Sequence, residues 1–315
     1  MATLVLGLLS VPSPTAVAVK TSGRNCSTYR GGHEIPYPFG IGPECSLPGF
    51  NLTCEVGAHN TSYILLGNQS IWVRSISVFP HYFPILPAIE TSIGYMVKMA
   101  PGVRDKSIHW EAPGRPFALP ASSNMSLFVV GCGVKASLFV GDTDVEVGNC
   151  SVICVEDEIM ERLPKGLCIG IGCCHINITV DLRAFTLDIS RTGRASRLYG
   201  QFNAFITGNG WPWFNHPSNP PPTTLSWSIP NEPNCTRAME DRANYACVSN
   251  HSYCLESPIG GYACACVEGF SGNPYVFNGC MAIGLSGDND EVPEIMDSII
   301  SQHVPFPTAC STELP

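Results

Sequence analysis

The six cysteines at positions 235, 247, 254, 264, 266 and 280 constrain this chain more than any other feature. Between consecutive members lie 11, 6, 9, 1 and 13 residues. A segment of that size buries too little apolar surface to hold itself together, so it calls for cross-links. No Cys-x-x-Cys pair occurs among the spacings, which disfavours a structural zinc site, and no metal is expected. Disulfides then remain, with many connectivities open to six cysteines. Because such bonds persist only where the surroundings oxidise, the chain is expected outside the cell.

Two other features point the same way. Asn-x-Ser/Thr sequons begin at Asn25, Asn51, Asn60, Asn68, Asn124, Asn149, Asn177, Asn234 and Asn250, half of all asparagines, a density that implies a glycosylated surface. The apolar run Ala2 to Val11 precedes Ala16-Val17-Ala18, so residues 1–18 read as a signal peptide, although no basic residue leads the run. The best later apolar run, Met125 to Val140, is too short for a bilayer and contains Lys135, so no membrane span is expected.

The overall charge of −9 is unevenly spread. Up to Pro230 there are fifteen basic and fifteen acidic side chains; beyond it there are two and eleven. The larger part is therefore neutral and compatible with an anionic ligand, whereas the end is acidic. The Pro-rich stretch 211–230 reads as a stiff connector between a head, residues 26–210, and the cysteine-rich module, residues 231–280. Residues 281–315 hold six acids and no base and are expected to be disordered, with Glu294 to Ile300 a transient helix.

Within the head, short β-like runs at Ile71–Phe79, Ile93–Met99, Ser126–Gly131 and Ser137–Val140 are separated by Gly and Pro. His175 to Ile189 alternates and then shifts phase, which predicts a bulge or bend near Ala184. Only Val155 to Leu163 looks helical, with a solvated acidic face. The expected fold is mainly β and disulfide-rich, a β-sandwich-like cysteine-rich head followed by a small module. Pro36 and Pro38 exclude helix from Ile35 to Gly42 and put Ile35, Tyr37 and Phe39 on one side. That strip either stacks on sugar rings or anchors the N-terminus in the core, and the core reading is preferred. Tyr37-Pro38 suits a cis bond.

The spacing from Cys235 to Cys280, with Gly260-Gly261-Tyr262 before Cys264-Ala265-Cys266, resembles an EGF-like module. That resemblance implies pairing of Cys235 with Cys254, Cys247 with Cys264, and Cys266 with Cys280. The run IPYPFGIGPEC from Ile35 to Cys45, FNLTC from Phe50 to Cys54, Val130-Gly131-Cys132 and Cys168-Ile-Gly-Ile-Gly-Cys173-Cys174 resemble the galacturonan-binding head of plant wall-associated receptor kinases. In that family EGF-like repeats follow the head, as here. The resemblance runs from about Cys26 to Cys280 and implies a pectic ligand. It also implies a cysteine where Arg30 stands, and two more near 75–95 and Leu198. The nine head cysteines are an odd number, so Cys26 and Cys310 are candidate orphans, able to pair with each other, bridge to another chain or stay free, and Cys173 and Cys174 are expected to take different partners.

A galacturonan chain repeats a carboxylate, so it calls for Lys or Arg at intervals and aromatic faces for the rings. Two stretches qualify. One holds Lys98, Arg104, Lys106, His109 and Arg115; the other holds Arg183, Arg191, Arg194 and Arg197 and is the better candidate. An ordinary solvated turn is the competing reading for both. Tyr37 and Phe39 are the candidate aromatics.

Catalysis finds no support: Gly-x-Ser-x-Gly, His-Glu-x-x-His and kinase motifs are absent, and Cys173-Cys174-His175 fits disulfide chemistry better than a thiol nucleophile. No cofactor and no nucleic-acid partner are expected. The leading expectation is a secreted, kinase-less polysaccharide-binding protein of the cell wall. The alternatives are a module that pairs with receptor kinase ectodomains through its EGF-like part, or a truncated product of a receptor gene.

Overall fold

Short β-branched and aromatic runs broken by Gly and Pro favour strands, and the computed structural model of the chain is mainly β. It describes residues 26–30, 32–57, 62–67, 71–78, 86–100, 102–121, 124–153, 155, 168–192, 201–208 and 221–283. These form four four-stranded sheets, three hairpins and the helix Cys235–Glu240. The expected signal peptide, the expected helix at Val155–Leu163 (except Val155) and residues 284–315 of the expected disordered tail, with Cys310, lie outside the described residues; the tail's first residues, Met281 and Ala282, are instead in the strand Cys280–Ala282, paired with Phe270–Gly272.

Two of the sheets form a sandwich. The front sheet runs Asp105–Glu111, Ala184–Arg191, Val134–Val140, Glu146–Val152; the back sheet runs Cys173–Asn177, Met125–Val130, Gln201–Gly208, Ile93–Lys98, all antiparallel. Side chains alternate across each strand. Ala136, Leu138, Phe185, Leu187 and Ile189 of the front sheet therefore share one core with Leu127, Val129, Ile176, Ala204 and Ile206 of the back. A Cys150–Cys174 disulfide joins the two edge strands, Cα to Cα 5.9 Å. Gly148 lies so close behind it that an added Cβ would stand 2.9 Å from Ile176 Cγ2.

The phase shift read as a bulge or bend near Ala184 is a bend at which the chain changes sheet. Cys173–Asn177 belongs to the back sheet and Ala184–Arg191 to the front. Between them the buried Ile178 and Leu182 hold the crossing chain, Ile178 N–H donating to Met125 O and Leu182 pairing with Leu119.

A third sheet, Phe117–Ala118, Thr223–Trp227, Ala88–Thr91, Ser75–Ser77, corrects the connector reading. Thr223–Trp227 falls inside the stretch expected to be a linker, yet it is its sheet's second strand. Leu225 and Trp227 are fully buried. Burial of an indole and a leucine outweighs the preference of a Pro-rich run for an extended spacer, and the strand begins just past the last proline of that run, Pro222.

The fourth, N-terminal sheet, Gly40–Ile41, Asn51–Val56, Ser62–Leu66, Ile71–Trp72, opens with a parallel pair. Gly40 is forced by contact: a Cβ there would sit 2.1 Å from Cys45 O. Tyr37-Pro38 is cis. Phe39, 1% exposed, meets Phe50 edge-on at 5.1 Å and Trp227 at 5.4 Å, so it belongs to the core. Cys26 is no orphan: Ile35 N–H donates to Thr28 O, the chain doubles back, and Cys26 bonds Cys45. Cys168 bonds Cys173, Cys54 and Cys132 are also disulfide-bonded, and no described cysteine is free.

The C-terminal module has the disulfides Cys235–Cys254, Cys247–Cys264 and Cys266–Cys280. Asn234 caps its helix, accepting from Arg237 N–H. The buried Tyr262 and Tyr275 hydroxyls accept from Ala246 N–H and Cys264 N–H. The module is fused to the head: Ile229 and Tyr262 exchange both backbone bonds, Asn273 Nδ2 donates to Tyr37 O at 2.7 Å, and Tyr275 lies 5.4 Å from Trp227.

Phe39→Ala is expected to cost about 3–5 kcal/mol, read from the denaturant midpoint of unfolding. Burial pushes Tyr95 and Tyr262 up to about 12 and Tyr275 higher still, from an ordinary 10. Folding thus favours the protonated phenols, so their contribution is complete below pH 10 and is lost as pH rises through about 12. Near-ultraviolet absorbance should show these tyrosines ionising only together with alkaline unfolding.

Candidate functional site

The length of a strand decides which cations stand together. Arg183 precedes and Arg191 ends the eight-residue strand Ala184–Arg191, which sets them about 27 Å apart, so they cannot serve one short ligand. Arg104 and Lys106 likewise lie at the start of Asp105–Glu111, while Arg115 lies beyond its far end. The antiparallel register puts Lys106 opposite Ile189 and Asp105 opposite Ser190, and Arg191 N–H donates to Arg104 O at 2.8 Å. Arg104, Lys106 and Arg191 therefore share one end of the sandwich.

Lys98 joins them from the back sheet. It is exposed at the end of Ile93–Lys98, and the next residue, Met99, accepts from Arg191 Nη2 at 3.0 Å. Lys135 completes the group, opposite Ser190 on the neighbouring front strand. The first stretch is thus split and the second divided, and one basic rim is assembled from parts of both. Its carboxylate by register is Asp105; Asp188, one row farther along, accepts from Ser107 Oγ at 2.5 Å. Lys135 was missed because it punctuates an apolar run; strand pairing sets it at the same sheet end as Arg191, on the face of Ser190 and Asp105. Arg194 and Arg197 lie outside the described residues.

Arg183 has another task. Its guanidinium donates to the carbonyl oxygens of Arg115 and, across the junction, of Ile259 in the C-terminal module. Desolvation and the neighbouring Arg115 cation lower its pKa, and Asp181 opposes the shift. These carbonyls occupy the fork that a carboxylate would need, so Arg183 is a clamp and not a ligand residue. Phe39 is also corrected as a ligand platform. Phe39 is in the core, and Tyr37 is half-buried against it, its hydroxyl pKa raised by burial.

His109 lies mid-sheet, away from the rim, opposite Thr186. Its Nδ1 is 3.0 Å from Asp142 Oδ1 and 3.4 Å from Thr186 Oγ1. Both neighbours meet the same nitrogen, so the Thr–His–Asp set lacks the relay in which base and orienter use opposite ring nitrogens. Among the described residues no group of three or more His, Cys, Asp or Glu is placed to hold a metal, and no helix is long and apolar enough to cross a membrane.

The N-terminal sheet, anchored through Ile35 and Phe39, lies within a stretch that has known relatives, whereas the basic rim lies beyond it. Residues 23–83 match the wall-associated receptor kinase galacturonan-binding family. Over most of its length the chain is homologous to the wall-associated receptor kinases. Wall-associated receptor kinase 1 of Arabidopsis thaliana is 29% identical over 285 residues, covering 83% of this chain and 35% of that protein. Wall-associated receptor kinase 5 of the same plant is 29% identical over 286 residues, covering 84% and 36%. Wall-associated receptor kinase-like 6 is 24% identical, covering 82% and 44%. The chain spans about a third of the length of the first two relatives. Among solved structures, the infectious bursal disease virus VP2 subviral particle covers 52% of this chain and 44% of its own at 16% identity, with a TM-score of 0.17 that supports no likeness of fold.

Arg183→Ala is expected to destabilise the protein by about 1–3 kcal/mol through its lost charge-assisted bonds, measured by denaturant unfolding. Affinity for any anionic ligand of the rim should be unchanged in the folded variant.

Proposed function

We propose that the chain is a non-enzymatic, extracellular polysaccharide-binding protein of the plant cell wall, and that its head holds de-esterified galacturonan along the rim formed by Lys98, Arg104, Lys106, Lys135 and Arg191. The observation that carries this reading is the convergence of these cations at one end of the sandwich, in a chain whose residues 23–83 match a galacturonan-binding family. Several Lys and Arg side chains at strand spacing, about 4.8 Å apart across a sheet, suit a polymer with a carboxylate on every sugar. Arg offers bidentate contacts and Lys point charges. Rim charges act through long-range attraction, so the binding is salt-sensitive.

The disulfide network and the sequons on exposed residues such as Asn51, Asn149 and Asn177 support an extracellular, glycosylated chain. The C-terminal module is read as EGF-like, and its pairing Cys235–Cys254, Cys247–Cys264, Cys266–Cys280 supports that assignment. A second reading, contact with a receptor kinase ectodomain, is favoured by Phe277, Met281 and Ile283, which the module leaves 69%, 66% and 58% exposed.

The test is calorimetric titration with galacturonan oligomers, de-esterified and methyl-esterified, over a range of salt. Selective binding of the de-esterified form that weakens with salt is expected. Arg104→Glu with Lys106→Glu should lower affinity at least about tenfold and flatten the salt dependence. A folded protein that binds neither oligomer, or binds both alike without salt dependence, overturns the galacturonan reading.

A further inference from the structure

We infer that the outer face of the N-terminal sheet carries a second carbohydrate subsite, for a neutral pyranose stacked on Trp72. Apolar rings on a sheet normally turn inward, and the described tryptophans Trp110 and Trp227 do so, at 6% and 0% exposure. Trp72 remains 45% exposed. It is also held in place: its ring lies against Tyr63, centroids 4.7 Å apart and planes 16° from parallel. Register explains the pair. Leu65 stands opposite Trp72, so Tyr63, two residues before Leu65, is its diagonal neighbour on the same face. A ring fixed in this way presents contact area with little conformational entropy left to lose on binding.

The chemistry around the ring selects the ligand. An aromatic face is electron-rich and attracts polarised C–H bonds. A pyranose whose hydroxyls are equatorial turns a flat set of axial C–H bonds toward such a face. Its hydroxyls then point sideways and need partners. The same face supplies them: Thr53 is opposite Leu65 and Glu55 opposite Tyr63, both exposed. They lie on the strand two places from Trp72, about 10 Å away, the scale of one or two sugar units. Glu55 accepts from hydroxyls but repels a carboxylate. The cation nearest in sequence, Arg74, turns its Nε to Ser92 Oγ at 2.9 Å. This face therefore suits a neutral sugar, in contrast to the rim at the end of the sandwich, and the inference stands apart from the galacturonan reading. The ligand is a free neutral oligosaccharide. Asn51 begins a sequon on the same strand and face, one row beyond Thr53, so an attached glycan is a competing occupant that the test resolves.

The experiment is calorimetric titration of the secreted protein and of Asn51→Gln with cellohexaose and chitohexaose, and with de-esterified galacturonan as a separate arm. Binding of a neutral hexamer is expected to fall at least about tenfold in Trp72→Ala and less in Trp72→Phe, which keeps a ring. Arg104→Glu with Lys106→Glu should not alter it, and Trp72→Ala should not alter galacturonan binding. Protection of Trp72 fluorescence from iodide by the hexamer, absent in Trp72→Phe, gives a readout that does not depend on the alanine variant folding. Binding that emerges only in Asn51→Gln and needs Trp72 identifies the attached glycan as the occupant and overturns the free oligosaccharide as the ligand. Absence of neutral-sugar binding in both folded backgrounds, or binding undiminished in Trp72→Ala, overturns the inference whatever the galacturonan arm shows.

Discussion

The packing of Trp227 is the interaction on which the rest of the molecule depends. Its ring lies 5.3 Å from Phe50, 5.4 Å from Phe39 and 5.4 Å from Tyr275, and its Nε1 donates to Ser77 O at 3.3 Å. One side chain thereby joins the N-terminal segment, the third sheet and the C-terminal module. Aromatic contacts of this kind add to an already large burial of area. They turn a head and a module that look separable in sequence into parts of one core. The Arg183 clamp onto Ile259 and the Asn273 bond to Tyr37 reinforce the same junction from its edges.

That shared core has a functional consequence. A module held by Tyr275, Asn273 and the Ile229–Tyr262 pair is a wall of the head and has a fixed orientation. A ligand of the head and a partner of the module would then meet surfaces joined by direct packing, which reduces the cost of ordering a hinge on binding.

Two kinds of surface emerge from one β scaffold because strand geometry separates them. Charges at strand termini gather at the sandwich end, where Lys98, Arg104, Lys106 and Arg191 meet. Rings at diagonal positions gather on a sheet face, as Tyr63 and Trp72 do. The first arrangement suits a polyanion and the second a sugar's apolar side. A wall polysaccharide offers both chemistries, either on one polymer or on neighbouring ones.

Local rules in the sequence determined the strand-rich fold, the exclusion of helix at Ile35–Gly42, the cis Tyr37-Pro38 bond, and the separate partners of Cys173 and Cys174. Each follows from backbone sterics or side-chain alternation within a few residues. Tertiary structure alone decided the pairing of Cys26 with Cys45, the burial of Thr223–Trp227 behind a proline run, and the crossing between sheets before Ala184. It also decided which cations share a rim. Arg183 and Arg191 look equivalent in sequence, yet one ends as a clamp on backbone carbonyls and the other on the rim, because they stand at opposite ends of one strand. Spacing along a chain records periodicity, whereas proximity across sheets depends on register, and register is fixed by the buried face of every strand at once.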